Sequence, residues 1–228
     1  MLLKTALAAL TLSLVCTVSR VSFADTLTMT AAGGESSGGE FVFPYYLTDS
    51  GPGGTSTMVA MGCLNVDRDV NFGETWQAVD VNVSTVTLSS VIDGESGLDI
   101  LADAYLFNQF AGAGGNGFLI SDIQWAIWSI MDPSGVVGNI AFDPNAQGMA
   151  AAALAIAPTL PSSYFAYDNM FVPIDGTQTP GYGEPQILMT DPAPPAATPE
   201  PTSLLLMGTG MLGAVAIMRR KYRKYRKV

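Results

Sequence analysis

The chain has 228 residues, of which 48% are hydrophobic and 13% charged; 20 are acidic, 10 are basic and none is histidine. Between Asp25 and Pro201 a single base, Arg68, accompanies all 20 acids, so this region is strongly negative. The absence of histidine excludes Ser–His–Asp and Cys–His catalysis and imidazole metal sites, and two cysteines are too few for a cysteine zinc cluster. A body of this charge is not expected to bind nucleic acid by neutralising phosphates.

The N-terminal residues 1–24 have the composition of a secretory signal peptide. Lys4 supplies the positive start, residues 6–18 form a mostly apolar stretch, and residues 22–24 place small side chains on either side of a phenylalanine. A signal peptidase requires small residues in this arrangement, and the segment is short for a transmembrane helix. We therefore predict export, with a mature chain that begins at Asp25.

Residues 25–190 are predicted to form one domain that begins with strands. Apolar and polar residues alternate with period two in several short segments, and Gly-rich stretches separate these segments. Pro44 lacks a backbone N–H and therefore indicates an edge position or a bulge. The predicted strands are 26–30, 41–47, 57–64, 77–83 and 84–89.

The middle of this domain changes to helical periodicity. Leu98, Leu101 and Tyr105 recur at the spacing of one helix face, and similar spacing continues further along the chain. The predicted class is α+β: an antiparallel sheet or barrel-like body with a two- to three-helix insertion. The predicted helices are 98–110, 118–131 and 144–157, and strands are expected to return at 170–174 and 185–190.

The acidic segment 65–69 alternates oxygen-bearing side chains in the manner of a calcium loop. It lacks the glycine at the sixth position and the glutamate at the twelfth that such a loop uses. No metal site and no cofactor are predicted. Arg68, the only base of the domain, is expected to pair with Asp67, Asp69 or Glu74.

Cys63 is the only cysteine that remains once the signal peptide is removed, because the other is Cys16. Cysteine in exported proteins is usually paired, so an unpaired one needs an explanation. The residues leave three alternatives open: a buried small apolar side chain, a disulfide to another molecule, or a covalent bond to a residue other than cysteine.

Gln124 falls among apolar residues on the predicted helix 118–131. At ~100° per residue it lies between Met131 and Trp128 on the apolar arc. A buried carboxamide without a partner costs about 1–3 kcal/mol, so a partner is expected. The alternative is a capping box at 121–124, in which the helix begins after the first of these residues and Gln124 caps it.

Residues 123–128, Ile-Gln-Trp-Ala-Ile-Trp, resemble the glutamine motif of bacterial surface thioester domains. These domains also carry one earlier cysteine, and the helix before their glutamine resembles residues 104–106. The resemblance implies that Cys63 attacks the side-chain carbonyl of Gln124, expels ammonia and forms an internal thioester, which a partner's amine or hydroxyl can open. Gly62 stands where such domains usually carry an aromatic residue. The predicted domain contains no lysine that could react with the bond.

The C-terminal segment 199–228 follows a Pro/Ala-rich stretch, 191–198, that is typical of an extended linker. Its apolar part spans ~24 Å at ~1.5 Å per residue, which predicts a transmembrane helix with local thinning of the bilayer. The basic end should stay in the cytoplasm. In order, the segment carries Pro199, Glu200 and Pro201, an uncharged apolar run at 203–218, and a basic end at 219–228 that starts with Arg219, Arg220 and Lys221.

This order resembles the PEP-CTERM sorting tail of Gram-negative bacteria that produce exopolysaccharide. In that family an integral-membrane exosortase recognises and processes the tail. The resemblance implies a sorting motif at Pro199, Glu200 and Pro201, and a cytoplasmic anchor at Arg219, Arg220 and Lys221.

We interpret the chain as a protein that is exported through the inner membrane, held there transiently, and then sorted to the cell surface or exopolysaccharide matrix. Its expected partners are an exosortase, the inner membrane, and exopolysaccharide or surface amine and hydroxyl groups. The hypothesis for its body is covalent adhesion through Cys63 and Gln124. The alternative is a structural or carbohydrate-binding matrix module without a reactive bond. We do not expect an enzyme.

Overall fold

The computed structural model describes residues 24–33, 36–51 and 56–190. The predicted signal peptide up to residue 23, the linker 191–198 and the tail 199–228 lie outside the described residues. The predicted domain boundaries therefore remain predictions, as does the transmembrane helix at 203–218. Within the described ranges, no helix is both long enough and apolar enough to cross a bilayer.

Six antiparallel strands close into a barrel with the neighbour order β1–β4–β5–β10–β9–β6. Two small hairpins, β2–β3 and β7–β8, lie outside this barrel. In chain order the strands are β1 (Asp25–Ala32), β2 (Ser36–Ser37), β3 (Glu40–Phe41), β4 (Tyr45–Ser50), β5 (Ser56–Cys63), β6 (Thr75–Asn82), β7 (Val91–Ile92), β8 (Glu95–Ser96), β9 (Asn169–Pro173) and β10 (Leu188–Thr190).

Alternate residues of the barrel strands point inward and are buried, because successive side chains of a strand face opposite sides of the sheet. Leu27 pairs with Trp76 of the neighbouring strand, and Met29 pairs with Leu47 on the other side. All four side chains are at most 2% exposed. The period-two pattern of the sequence is thus the inside of a barrel.

Four α-helices lie between β6 and β9 in the chain. Ser96 caps the first by accepting a hydrogen bond from the Asp99 backbone N–H, and Asp143 caps the last, which has Pro144 in its first turn. They are α1 (Gly97–Phe107), α2 (Phe110–Ala113), α3 (Gly117–Met131) and α4 (Pro144–Ile156). The predicted antiparallel, barrel-like α+β body with its helical insertion is confirmed.

The predicted strand 84–89 is wrong. After Asn82 the chain forms a 3₁₀ helix, Val83–Thr85, and then a turn. The Asn82 side chain accepts hydrogen bonds from the backbone N–H and the hydroxyl of Ser84. This local bonding competes with a sheet ladder, so the strand ends at Asn82.

Two other strands are shorter than predicted. The segment 41–47 is interrupted around the cis Phe43–Pro44 bond, and strand β4 starts only at Tyr45. The segment 185–190 joins the barrel only from Leu188. Before that point the Ile187 N–H donates to the side-chain oxygen of Asn65 instead of to a backbone carbonyl of a neighbouring strand.

Candidate functional site

Cys63 is the last residue of β5 and its side chain is fully buried. It forms no disulfide, and its Sγ donates a hydrogen bond to the Asn65 carbonyl at 2.9 Å. The loop that follows is held in place because the Asn65 side chain accepts from the Ile187 N–H and donates to Asp67. The thiol therefore sits at a fixed point where the strand leaves the barrel.

Gln124 lies in the interior of α3 and is also fully buried. Its Nε2 donates to the backbone carbonyl oxygen of Cys63 at 2.6 Å, across a separation of 61 residues. Because that carbonyl can only accept, the amide nitrogen must face it and the amide oxygen must turn away. Gln124 Oε1 has no hydrogen-bond partner among the described residues. The structure thus brings the two predicted site residues together.

The capping-box alternative for Gln124 is wrong. Helix α3 begins at Gly117, and Asn116 caps it by accepting from the Leu119 N–H. Ser121, the first residue of the supposed box, instead shares a hydrogen bond with the hydroxyl of Ser37 in the β2–β3 hairpin. Gln124 is therefore held in the helix interior, where its carboxamide faces the end of β5.

Two tryptophans of α3 differ in how their indole N–H groups are used. Trp125 Nε1 donates to Ser37 at 3.2 Å. Trp128 lies beside the Cys63 sulfur, and its buried Nε1 has no hydrogen-bond partner of ordinary geometry among the described residues. The rings meet edge to face, with centroids 5.0 Å apart. The motif at 123–128 drew attention to Trp128, but the sequence alone assigned it no role.

Burial raises the pKa of the Cys63 thiol well above its usual range. Contacts with the Trp128 indole and the Asn65 backbone lower that pKa in part, whereas the negative charges of Asp67 and Glu40 raise it further. The thiol is therefore neutral at physiological pH, and any attack by its sulfur must be coupled to loss of its proton. An inert, shielded thiol of this kind does not react with small molecules in solvent while the site stays closed.

A close approach beside Cys63 depends on the absence of a side chain at Gly62. A Cβ at this position would lie 2.7 Å from a ring carbon of Phe107 in α1. Phe107 in turn packs edge-on against Phe43 and Phe110, and the last two rings stack with centroids 4.1 Å apart. The space that an aromatic residue at position 62 would need is filled by the helical layer.

Arg68 does not pair as expected with its sequence neighbours. Its Nη1 lies 3.4 Å from Asp93 and its Nε lies 3.8 Å from Glu184, so it joins three separate loops. No group of three or more acidic or cysteine side chains in the described ranges is arranged to hold a metal ion.

The sorting residues predicted at the C-terminus lie outside the described residues. They are Pro199, Glu200, Pro201, Arg219, Arg220 and Lys221.

Comparisons with known proteins found one similarity for the body of the chain and another for its tail. No curated protein matches the sequence. The fold matches the N-terminal thioester domain of a surface protein from Clostridium perfringens at 10% identity and a TM-score of 0.40, covering 74% of this chain and 98% of that one. It also matches the N-terminal domain of the pilus tip adhesin Cpa of Streptococcus pyogenes at 14% identity and a TM-score of 0.35, covering 75% and 95%.

The tail gives the second similarity. Residues 197–221 match the family model described as the PEP-CTERM protein-sorting motif, and the range includes all six predicted sorting and anchor residues. This confirms the sorting tail predicted from the sequence. The motif implies that the chain is an exported surface protein sorted by an exosortase.

Proposed function

We propose that this surface protein adheres covalently, through an internal thioester between Cys63 and Gln124 that a partner's amine or hydroxyl opens. The observation that carries the proposal is the 2.6 Å hydrogen bond that holds the Gln124 carboxamide against the backbone of Cys63. Both residues are fully buried, so the bond would form away from water. The partner would be exopolysaccharide or another molecule of the cell surface.

The chemistry needs only these two side chains. The Cys63 sulfur forms a bond to the Gln124 Cδ, the carbon–nitrogen bond breaks, and the thiol proton ends on the nitrogen, which leaves as ammonia. A partner amine then replaces the sulfur, which regenerates the thiol and leaves the partner joined to the Gln124 carbonyl. No lysine between residues 25 and 190 can compete with the partner for the bond.

The experiment is intact mass spectrometry of the exported protein, with and without methylamine. We expect the wild-type mass to be lower than calculated by one ammonia, and to rise by one methylamine on treatment. Cys63→Ala and Gln124→Glu are the matched variants, because each keeps most of the buried volume and removes one reacting group. Both should show the calculated mass and no change with methylamine.

A full calculated wild-type mass with a free thiol would contradict the thioester. The body would then act as a structural or carbohydrate-binding matrix module. In that case Cys63→Ala should leave surface association and stability nearly unchanged. In both alternatives the body works by binding rather than by turnover of a substrate.

The sorting pathway has its own proposal and test. We propose that residues 1–24 direct export in a Gram-negative bacterium, that residues 203–218 then hold the chain in the inner membrane, and that an exosortase recognises Glu200 within its motif. Glu200→Ala should accumulate as an unprocessed, membrane-bound form in a host that contains an exosortase. Thr202→Ala, next to the Pro-Glu-Pro residues, should be processed as the wild type is. Normal processing of Glu200→Ala would contradict this assignment.

A further inference from the structure

Two buried polar atoms of α3 near Cys63 have no hydrogen-bond partner of ordinary geometry among the described residues. One is Gln124 Oε1, an acceptor, and the other is Trp128 Nε1, which can only donate. The two residues are four apart in α3, so they are neighbours on one face of the helix. Both side chains are at most 1% exposed, so bulk solvent does not reach them.

Unpaired buried donors and acceptors destabilise a fold, so a pair of them at one point suggests a use outside the resting state. During thioester formation or opening, the Gln124 carbonyl carbon becomes tetrahedral and its oxygen takes up the electron pair of the double bond. A donor that is idle in the resting amide can then stabilise that negative oxygen, and the effect is strong where water is excluded.

We propose that the indole N–H of Trp128 is the hydrogen-bond donor to the oxyanion that develops on Gln124 Oε1. This inference rests on the thioester of the proposed function. The atoms balance without any further reactant: the sulfur–carbon bond forms, the oxygen receives and then returns its electron pair, and ammonia departs with the thiol proton. Trp128 makes and breaks no covalent bond and keeps its own proton throughout.

Other groups near the site are already engaged. The Trp125 indole donates to Ser37, and the Gln124 nitrogen donates to the Cys63 carbonyl. The carbonyl of Asn65 accepts from the thiol and cannot donate. Trp128 is therefore the residue of α3 whose indole N–H lies beside the Cys63 sulfur and makes no hydrogen bond of ordinary geometry to a described residue.

The test replaces Trp128 by 3-benzothienylalanine, which has the same bicyclic shape but carries sulfur in place of the N–H. In the exported full chain, two rates are measured by intact mass: loss of ammonia after a pulse of synthesis, and opening of the thioester by methylamine. We expect both to fall on the order of 100-fold or more, as loss of one oxyanion donor does in enzymes that use one. The same replacement at Trp125 is the matched control and should leave both rates unchanged.

Thermal melting in a Cys63→Ala background, where no reaction occurs, distinguishes a purely structural role of Trp128 from a role in the reaction. There the replacement should change the melting temperature no more than the Trp125 replacement does. Wild-type rates in the Trp128 variant, or an equal slowing in both variants, would overturn the inference while leaving the thioester intact. A wild-type protein that never loses ammonia would overturn the thioester itself.

Discussion

The two ends of the barrel differ in charge and in what covers them. At the Cys63 end, where β5 finishes, Cys63 and Gln124 are fully buried beneath the helical layer. At the other end, called here the aspartate end, Asp25, Asp49 and Asp80 continue the inward-facing rows of β1, β4 and β6. One end holds neutral groups away from water, and the other gathers acids with no base beside them among the described residues.

The same physical cause acts on titratable groups at both ends, with different results. Desolvation is the main reason that the pKa of Cys63 is raised, and it is also the main reason that the pKa values of the three aspartates are raised. A thiol with a raised pKa stays neutral and inert at physiological pH. A carboxyl with a raised pKa titrates closer to neutrality. Burial thus keeps the thiol neutral at one end, whereas at the other end it favours the protonated, uncharged form of the aspartates.

The largest expected effect concerns the Cys63 end. In Gln124→Glu, which cannot form the thioester by loss of ammonia, the Cys63 thiol is free but buried. We expect a disulfide-type thiol reagent to label it about 1,000-fold or more slowly in the native protein than in denaturant, because labelling requires opening of the fold. Labelling is followed by absorbance on the mature chain.

The control places a thiol on the surface. Ser89→Cys in a Cys63→Ala chain puts cysteine in an exposed turn far along the sequence from the site. Its native and denatured labelling rates should be similar. Fast native labelling of Cys63 in the Gln124→Glu chain would show that this end of the barrel is open to solvent.

The second prediction tests the helical cover beside Cys63. Gly62→Ala places a Cβ within 2.7 Å of the Phe107 ring, which is fixed by two other phenylalanines. The free energy of unfolding should fall by about 1–3 kcal/mol, as overpacking of a core does. Urea denaturation measures it.

Gly148→Ala is the matched control for that substitution. Gly148 lies in α4, and a Cβ there would meet no atom within 4 Å. Alanine favours a helix over glycine by about 0.5–1 kcal/mol, so this variant should be slightly more stable. Equal effects of the two variants would contradict the close approach of α1 to β5.

The third prediction concerns the aspartate end. Burial and the nearby charges of Asp25 and Asp49 raise the pKa of Asp80 to about 6. The Asp80 carboxyl therefore binds its proton more tightly in the folded state than in the unfolded state. Its protonation stabilises the fold at low pH, and this stabilisation is lost as the pH rises through about 6. Asp80→Asn should be more stable than the wild type at pH 7 and equal to it at pH 4.

The difference in the free energy of unfolding between Asp80→Asn and the wild type is limited, because the Asp80 side chain is only partly desolvated and remains exposed at the rim of the barrel. Solvent screening reduces it to about 1 kcal/mol or less. Thermal melting across pH 4–7 measures it. Asp175→Asn, which removes a charge in an exposed turn, is the control and should not flatten the pH dependence. A pH profile unchanged by Asp80→Asn would show that the three acids do not act together.

The sequence predicted the repeating parts of this fold well, since a period of two or of about 3.6 is a local property. The helices at 118–131 and 144–157 end within one residue of α3 and α4. The strand at 84–89 failed because a single asparagine side chain, Asn82, redirects the backbone into a 3₁₀ turn. Such side-chain competition leaves no periodic signal.

The candidate site was predictable only in Cys63 and Gln124, the two residues proposed to react. Gln124 stood out because a polar side chain interrupted an apolar face, and Cys63 stood out because it had no partner. The role proposed for Trp128 was not predictable, because a tryptophan on an apolar arc gives no sign that its N–H lacks a hydrogen bond of ordinary geometry. The idle donor becomes evident only when the contacts of α3 with β5 are known.

The partners of Arg68 were also not predictable from the sequence, and its substitution has the smallest expected effect on stability. Local charge suggested a partner among its neighbours, but the loop that follows β5 carries the guanidinium to Asp93 and Glu184. These pairs are partly exposed, and such pairs contribute about 0.5 kcal/mol or less. Arg68→Gln should therefore lower the free energy of unfolding only slightly, and the difference should vanish in high salt. Because the loop also positions Asn65 under the Cys63 thiol, a large, salt-independent loss would mean that Arg68 holds the Cys63 end closed.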